Sequence, residues 1–293
     1  MNITENNINR LSEKDNDQAQ KVLALQDFMS SVKHKFLMMS SQRGVGKTSV
    51  IIHLAAALSK RGAAVGLMDI NFHGPDIRRI LGLEPALVSA SDKPFIPVSS
   101  DDLKVASIES AMHPKDEGGV SVKPPSISDI RRFISHVKWG NLDYLFVDTP
   151  AGPGEALLAI IKAIPDAKKI IITVPNKIDG GRAKNMINFF RKEQIAIYGW
   201  IENMRGYFFQ PYGQRLDLFS TGSGSRAVFL GGIPLLGRIP IDPHLLESAD
   251  IERPSLEKYL ESEVAKSFNI ITEKIMLGDK SNLPDDRPVY RDL

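Results

Sequence analysis

Apolar residues gather in short runs along the chain: Phe36 to Met39, Ala64 to Met68, Leu103 to Ile108, Tyr144 to Val147, Ile170 to Val174, Ile195 to Ile201 and Leu235 to Ile239. Between them, Thr48 to Ser59, Ser126 to Val137, Glu155 to Ile164 and Gly181 to Arg191 place apolar residues at intervals of three and four, the spacing of one helix face. Strands that are apolar nearly throughout have no solvent face, and their alternation with amphipathic helices implies parallel pairing under helices on both sides. The fold class expected is α/β, a doubly wound and mostly parallel sheet spanning residues 35–254.

The flanks differ from this centre. Residues 1–34 are a polar extension with one amphipathic patch, Asp17 to Met29, in which Val22, Leu25 and Met29 recur at helical spacing. Beyond the centre, residues 255–276 read as an amphipathic helix docked on the domain, with Leu256, Tyr259, Leu260, Val264, Phe268, Ile271 and Ile275 on one face. Residues 277–293 read as a loosely held tail.

Composition narrows the chemistry. Hydrophobic residues at 42% and charged residues at 25% suit a soluble globular chain, and a net charge of +2 gives no strong nucleic-acid signal. There is no cysteine, which removes disulfides, thiolate nucleophiles and cysteine-held clusters together. The histidines show no metal-ligand spacing. The polar start is unlike a secretory signal and no run of ~18 apolar residues offers a membrane span, so a cytoplasmic protein is expected.

Candidate chemistry concentrates where Phe36 to Met39 ends. Ser41-Gln42-Arg43-Gly44-Val45-Gly46-Lys47-Thr48 fits the phosphate-loop pattern G-x-x-x-x-G-K-[ST], with Ser41 where the first Gly usually stands. A glycine loop between strand and helix aims backbone N–H groups and the helix N-terminus at phosphate oxygens. Residues 42–49, ending on Ser49, form the expected nucleotide cradle. Lys47 would reach the β and γ phosphates, and Thr48 would hold Mg²⁺. Asp148 ends the run Tyr144 to Val147 before the turn Thr149 to Glu155, placing a second Mg²⁺ group beside the loop. Asp69 ends Ala64 to Met68 at the same sheet edge.

These stretches, with Leu67 to Pro85, His136 to Glu155, Gly199 to Met204 and Pro234 to Asp250, resemble the Mrp/ApbC family of iron-sulfur carrier ATPases, in the MinD/ParA superfamily of P-loop NTPases. The resemblance covers roughly residues 36–254. It implies an ATP-dependent dimer, homodimeric or paired with a related ATPase, with two nucleotides sandwiched at the interface. In the family's cluster carriers, a bridging cluster is held by C-x-x-C after the ENM motif.

Three departures stand out. Where the family reads K-G-G-V-G-K-T, this chain places neutral Gln42 at the lysine that reaches the partner's phosphates, with the following Arg43 as the candidate to take over its charge. Where it reads D-x-D-x-x-G-P, Asn71 replaces the carboxylate that positions the attacking water, leaving Asp69 and Asn71 as the local pair. Where it reads C-P-x-C, this chain has Phe209-Gln210-Pro211-Tyr212-Gly213. Losing a water-orienting charge affects the transition state more than phosphate binding. ATP and Mg²⁺ binding is therefore expected to persist, with hydrolysis slow or partner-dependent. The expected function is a nucleotide switch associated with iron-sulfur or metallocofactor assembly that ligates no cluster through its own cysteines. A positioning ATPase of the ParA/MinD kind and a pseudo-ATPase subunit are the alternatives.

Two motifs bear on the base. Asn176-Lys177-Ile178-Asp179 matches the guanine-reading N-K-x-D, whereas Asn203 sits where the resembled family contacts adenine, an edge that an amide can serve as both donor and acceptor. His73 reads as a loop histidine near the phosphates. Asp17-Gln18-Ala19 with Leu23 is similar to the segment by which flagellar MinD-like ATPases engage a GTPase, without its Arg.

Overall fold

The computed structural model describes residues 30–72, 77–83, 95–100, 103–109, 125–175, 179–209, 214–216, 231–242 and 262–278. In chain order the strands are β1 (Val32–Ser40), β2 (Val65–Asp69), β3 (Val98–Ser100), β4 (Leu103–Ser107), β5 (Leu142–Asp148), β6 (Lys168–Thr173), β7 (Gly199–Glu202), β8 (Tyr207–Phe209), β9 (Gln214–Leu216) and β10 (Leu235–Arg238). The helices are α1 (Lys47–Ser59), α2 (Ile77–Ile80), α3 (Ile127–His136), α4 (Glu155–Ala163), α5 (Asp179–Lys192) and α6 (Glu263–Leu277).

An 8-stranded sheet runs β10-β7-β6-β1-β5-β2-β4-β3, parallel throughout except for the antiparallel edge strand β3. The chain leaves central β1 for β2, returns to β5, then crosses to β6 on the other side of β1. That reversal falls at the carboxyl ends of β1, β5 and β6, the position at which sheets of this kind bind ligands. Register brings the chemistry to that edge, with Met38 and Asp69 both opposite Asp148.

Alternation along β1 divides the core. Phe36 and Met38 pack under α1 and α6, while Leu37 and Met39 face the layer of α3, α4 and α5. Helix α6 is part of the first layer. Val264, Phe268, Ile271 and Ile275 are buried, and the Phe268 ring stacks on His53 of α1 with centroids 5.2 Å apart. Gly237 permits this docking, because a side chain there would strike Ile271. The earlier part of the expected helix, including Leu256, Tyr259 and Leu260, lies outside the described residues.

The expected strand Ile195 to Ile201 is shorter than its apolar pattern. The ladder with β6 begins only at Gly199, opposite Ile170. Gln194 turns the chain at φ 54 after α5, and Ile195 is buried as part of the return from helix to sheet. The pattern registers burial, which this connection shares with the strand. The β8–β9 hairpin and edge strand β3 had no counterpart among the apolar runs.

Candidate functional site

Between β1 and α1 the chain must turn sharply while leaving its N–H groups accessible. Gly44 at φ 76 and Gly46 at φ 77 adopt the left-handed conformation that this needs. Gly46 also carries α1's N-cap position, with no side chain accepting from the first turn and no acidic residue in it. The N–H groups that open a helix have no partner within it, and a terminus of this kind favours an anion.

Asn203, just past β7, braces the loop from the far side. Its Nδ2 donates to the Val45 carbonyl at 2.8 Å, and its backbone N–H donates to the Thr173 carbonyl at 2.8 Å. A side chain at position 46 would collide with the Asn203 amide. Two glycine requirements, backbone angle and close approach, thus meet at one residue.

The first turn of α1 carries a buried cluster. The Lys47 ammonium is in ion-pair contact with Asp148, and Thr48 Oγ1 donates to the other oxygen of the same carboxylate at 2.6 Å. Lys47 is 5% exposed and Asp148 0%. Burial pushes the Lys47 ammonium down to about 7, with the nearby Asp69 carboxylate pulling it upward. Asp69 itself accepts from the backbone N–H groups of Asn71 at 2.9 Å and Ile77 at 3.0 Å. It thereby fixes the backbone on which half-buried Asn71 stands.

The turn after β5 is tied to the same loop. Gly152 N–H donates to the Ser40 carbonyl at 2.8 Å, and the Ser40 hydroxyl donates to the Gln42 carbonyl at 2.9 Å. Half-buried Gln42 accepts from Arg182 of α5, a residue that the sequence pattern did not single out. Arg43 and Gly44 are exposed at the mouth, Val45 is buried beneath it, and the Ser49 carbonyl accepts from His53 at 2.7 Å. The structure therefore brings residues 42–49, Asp69, Asn71, Asp148 and Asn203 to one edge. His73, Asn176 to Ile178 and Gln210 to Gly213 lie outside the described residues. Among the described residues, no three His, Asp or Glu side chains group as a metal site of their own.

This geometry can be set beside known proteins. The family model described as ParA: NUBPL iron-transfer P-loop NTPase matches residues 31–276. The chain belongs to this family. The iron-sulfur cluster carrier protein of Methanocaldococcus jannaschii is 36% identical over 261 residues, 88% of this chain and 89% of that one. The human cytosolic Fe-S cluster assembly factor NUBP2 is 30% identical over 262 residues, 87% of this chain and 97% of that one. Among solved structures, a nucleotide-binding protein from Archaeoglobus fulgidus in complex with ADP superposes with TM-score 0.67 at 30% identity, covering 83% of this chain and 95% of that one. The ParA-type P-loop fold expected from the motifs is the fold observed. Among the described residues, no helix is long and apolar enough to cross a membrane.

The lowered Lys47 value would link nucleotide binding to proton uptake. Burial holds the Lys47 ammonium below its ordinary value, and a polyphosphate beside it favours the charged form. Mg-ATP binding above neutral pH should take up protons, read from calorimetric enthalpies in HEPES and Tris buffers. A binding enthalpy independent of the buffer would contradict this.

Proposed function

We propose that this chain is an ATP-binding, dimerising nucleotide switch working in iron-sulfur or metallocofactor assembly in the cytoplasm. The observation that carries the nucleotide half is the buried Lys47–Asp148–Thr48 cluster at an uncapped helix N-terminus. Its donor set suits a magnesium nucleotide. Mg²⁺ commonly takes one or two protein oxygens and completes its shell with phosphate and water, which matches one carboxylate and one hydroxyl better than a closed protein cage. Thr48 and Asp148 would hold the ion, whose charge would offset that of the phosphates.

The remaining work belongs to the chain's own groups. The N–H groups of residues 44–49 receive phosphate oxygens, and Lys47 turns from Asp148 to the β and γ phosphates. We assign adenine recognition to Asn203 through its amide oxygen and the amide hydrogen not given to the Val45 carbonyl. Asp69 holds the turn bearing Asn71, which offers the attacking water an amide in place of a carboxylate. Binding is thus retained, while activation of water is weakened and left to a partner.

The assembly role rests on membership of the family and on relatives named as iron-sulfur carriers and assembly factors. With no cysteine in the chain, a cluster is cargo for another subunit to ligate. A heterodimer with a cysteine-bearing relative meets that need, as does a homodimer acting beside a separate scaffold.

Two measurements test this reading. Wild-type ATP turnover should be slow, and Asn71→Asp should raise kcat about tenfold or more with ATP affinity within a few-fold; brisk wild-type hydrolysis unchanged by the substitution would overturn the assignment of Asn71. Anaerobic incubation of the isolated protein with iron and sulfide should yield no stable cluster absorbance. Stoichiometric, stable iron and sulfide uptake would overturn the cargo assignment.

A further inference from the structure

The loop that opens the site carries a neutral amide at position 42, yet a cation stands against that amide. Arg182, in the first turn of α5, donates through Nη1 to Gln42 Oε1 at 2.7 Å. The two residues are 140 positions apart, joined across the mouth of the loop by this single hydrogen bond. A guanidinium carries five N–H donors in a planar fork. Arg182 is exposed, and its other donors meet no acceptor among the described residues.

The arrangement orients a charge without consuming it. A carboxylate at position 42 would hold the arginine more tightly but cancel its field; the amide oxygen holds it and leaves the full charge facing outward. Gln42 is itself fixed through its backbone carbonyl by the Ser40 hydroxyl, and the Ser40 carbonyl accepts from Gly152 in the turn after Asp148. This end of the loop is therefore coupled to the turn beside the Lys47–Asp148–Thr48 cluster, where the terminal phosphate of a nucleotide would lie.

We propose that Arg182, positioned by Gln42, recognises the terminal phosphate of a nucleoside triphosphate at the mouth of the loop and sets the preference for triphosphate over diphosphate. The proposal rests on the reading of residues 42–49 as a nucleotide site. It places a cation of α5 at the mouth of the loop, so nucleotide state is sensed jointly by the loop and α5. Arg182 makes the contact; Gln42 is a positioning residue.

Calorimetric affinities for Mg-ATP and Mg-ADP separate this role from a structural pin. Arg182→Ala should weaken ATP about tenfold while leaving ADP within about twofold, the size of one lost hydrogen bond to a charged group. Gln42→Glu, which strengthens the hold while neutralising the charge, should weaken ATP selectively as well. Equal effects of Arg182→Ala on ATP and ADP, or no effect on either, would overturn the proposal, as would an ATP preference that survives Gln42→Glu intact. Wild-type protein that binds neither nucleotide would instead overturn the underlying reading of the loop.

Discussion

The contact on which the site depends is the one between Lys47 and Asp148, made by two buried groups at the meeting point of α1 and β5. Removing one partner of a buried ion pair leaves an uncompensated charge and costs about 3–5 kcal/mol. The pair can persist because Thr48 satisfies the second carboxylate oxygen. The cost of burial is nonetheless visible in the depressed Lys47 ammonium. A lysine held this way is poised to exchange one anionic partner for another. A polyphosphate offers more negative charge than one carboxylate, and its arrival would release Asp148 toward a metal ion.

Everything around the pair serves its placement. Register across the central strands sets Met38, Asp69 and Asp148 side by side, so the carboxylates lie at the depth where the loop leaves β1. The backbone conformation of Gly46 and the close approach of Asn203 bend the loop over that point, and the Asn203 amide ties the loop to β7. Helix α6 presses Phe268 onto His53, and so holds from behind the helix whose N-terminus is proposed to receive the anion. Burial pushes the His53 ring below its ordinary value, and its bond to the Ser49 carbonyl continues the support along α1.

Much of this was legible in the sequence, for physical reasons. Strands buried on both faces appear as uninterrupted apolar runs, so the central ladder and the carboxylates ending it could be placed in advance. The phosphate loop was legible because its glycines, lysine and hydroxyl must occur at fixed spacing. Edge strand β3 and the β8–β9 hairpin carry no such continuous apolar run, and the approach to β7 showed burial without pairing. The Gln42–Arg182 pair was illegible, since nothing local marks one arginine in an amphipathic helix as the neighbour of a residue 140 positions earlier. Replacing the expected lysine with Gln42 looked like a loss of charge in the sequence; in three dimensions a cation stands beside it.

The central claim is that the first turn of α1 and its loop form a magnesium-nucleotide site. Titration of Mg-ATP into wild type, Lys47→Ala and Thr48→Ala, each verified as folded by circular dichroism, tests it most directly. Thr48→Ala guards against a Lys47→Ala variant destabilised by its orphaned carboxylate. The account predicts saturable binding to the wild type and a loss of roughly a hundredfold for Lys47→Ala, with a loss for Thr48→Ala that disappears when Mg²⁺ is withheld. Equal affinity in wild type and folded variants would contradict it.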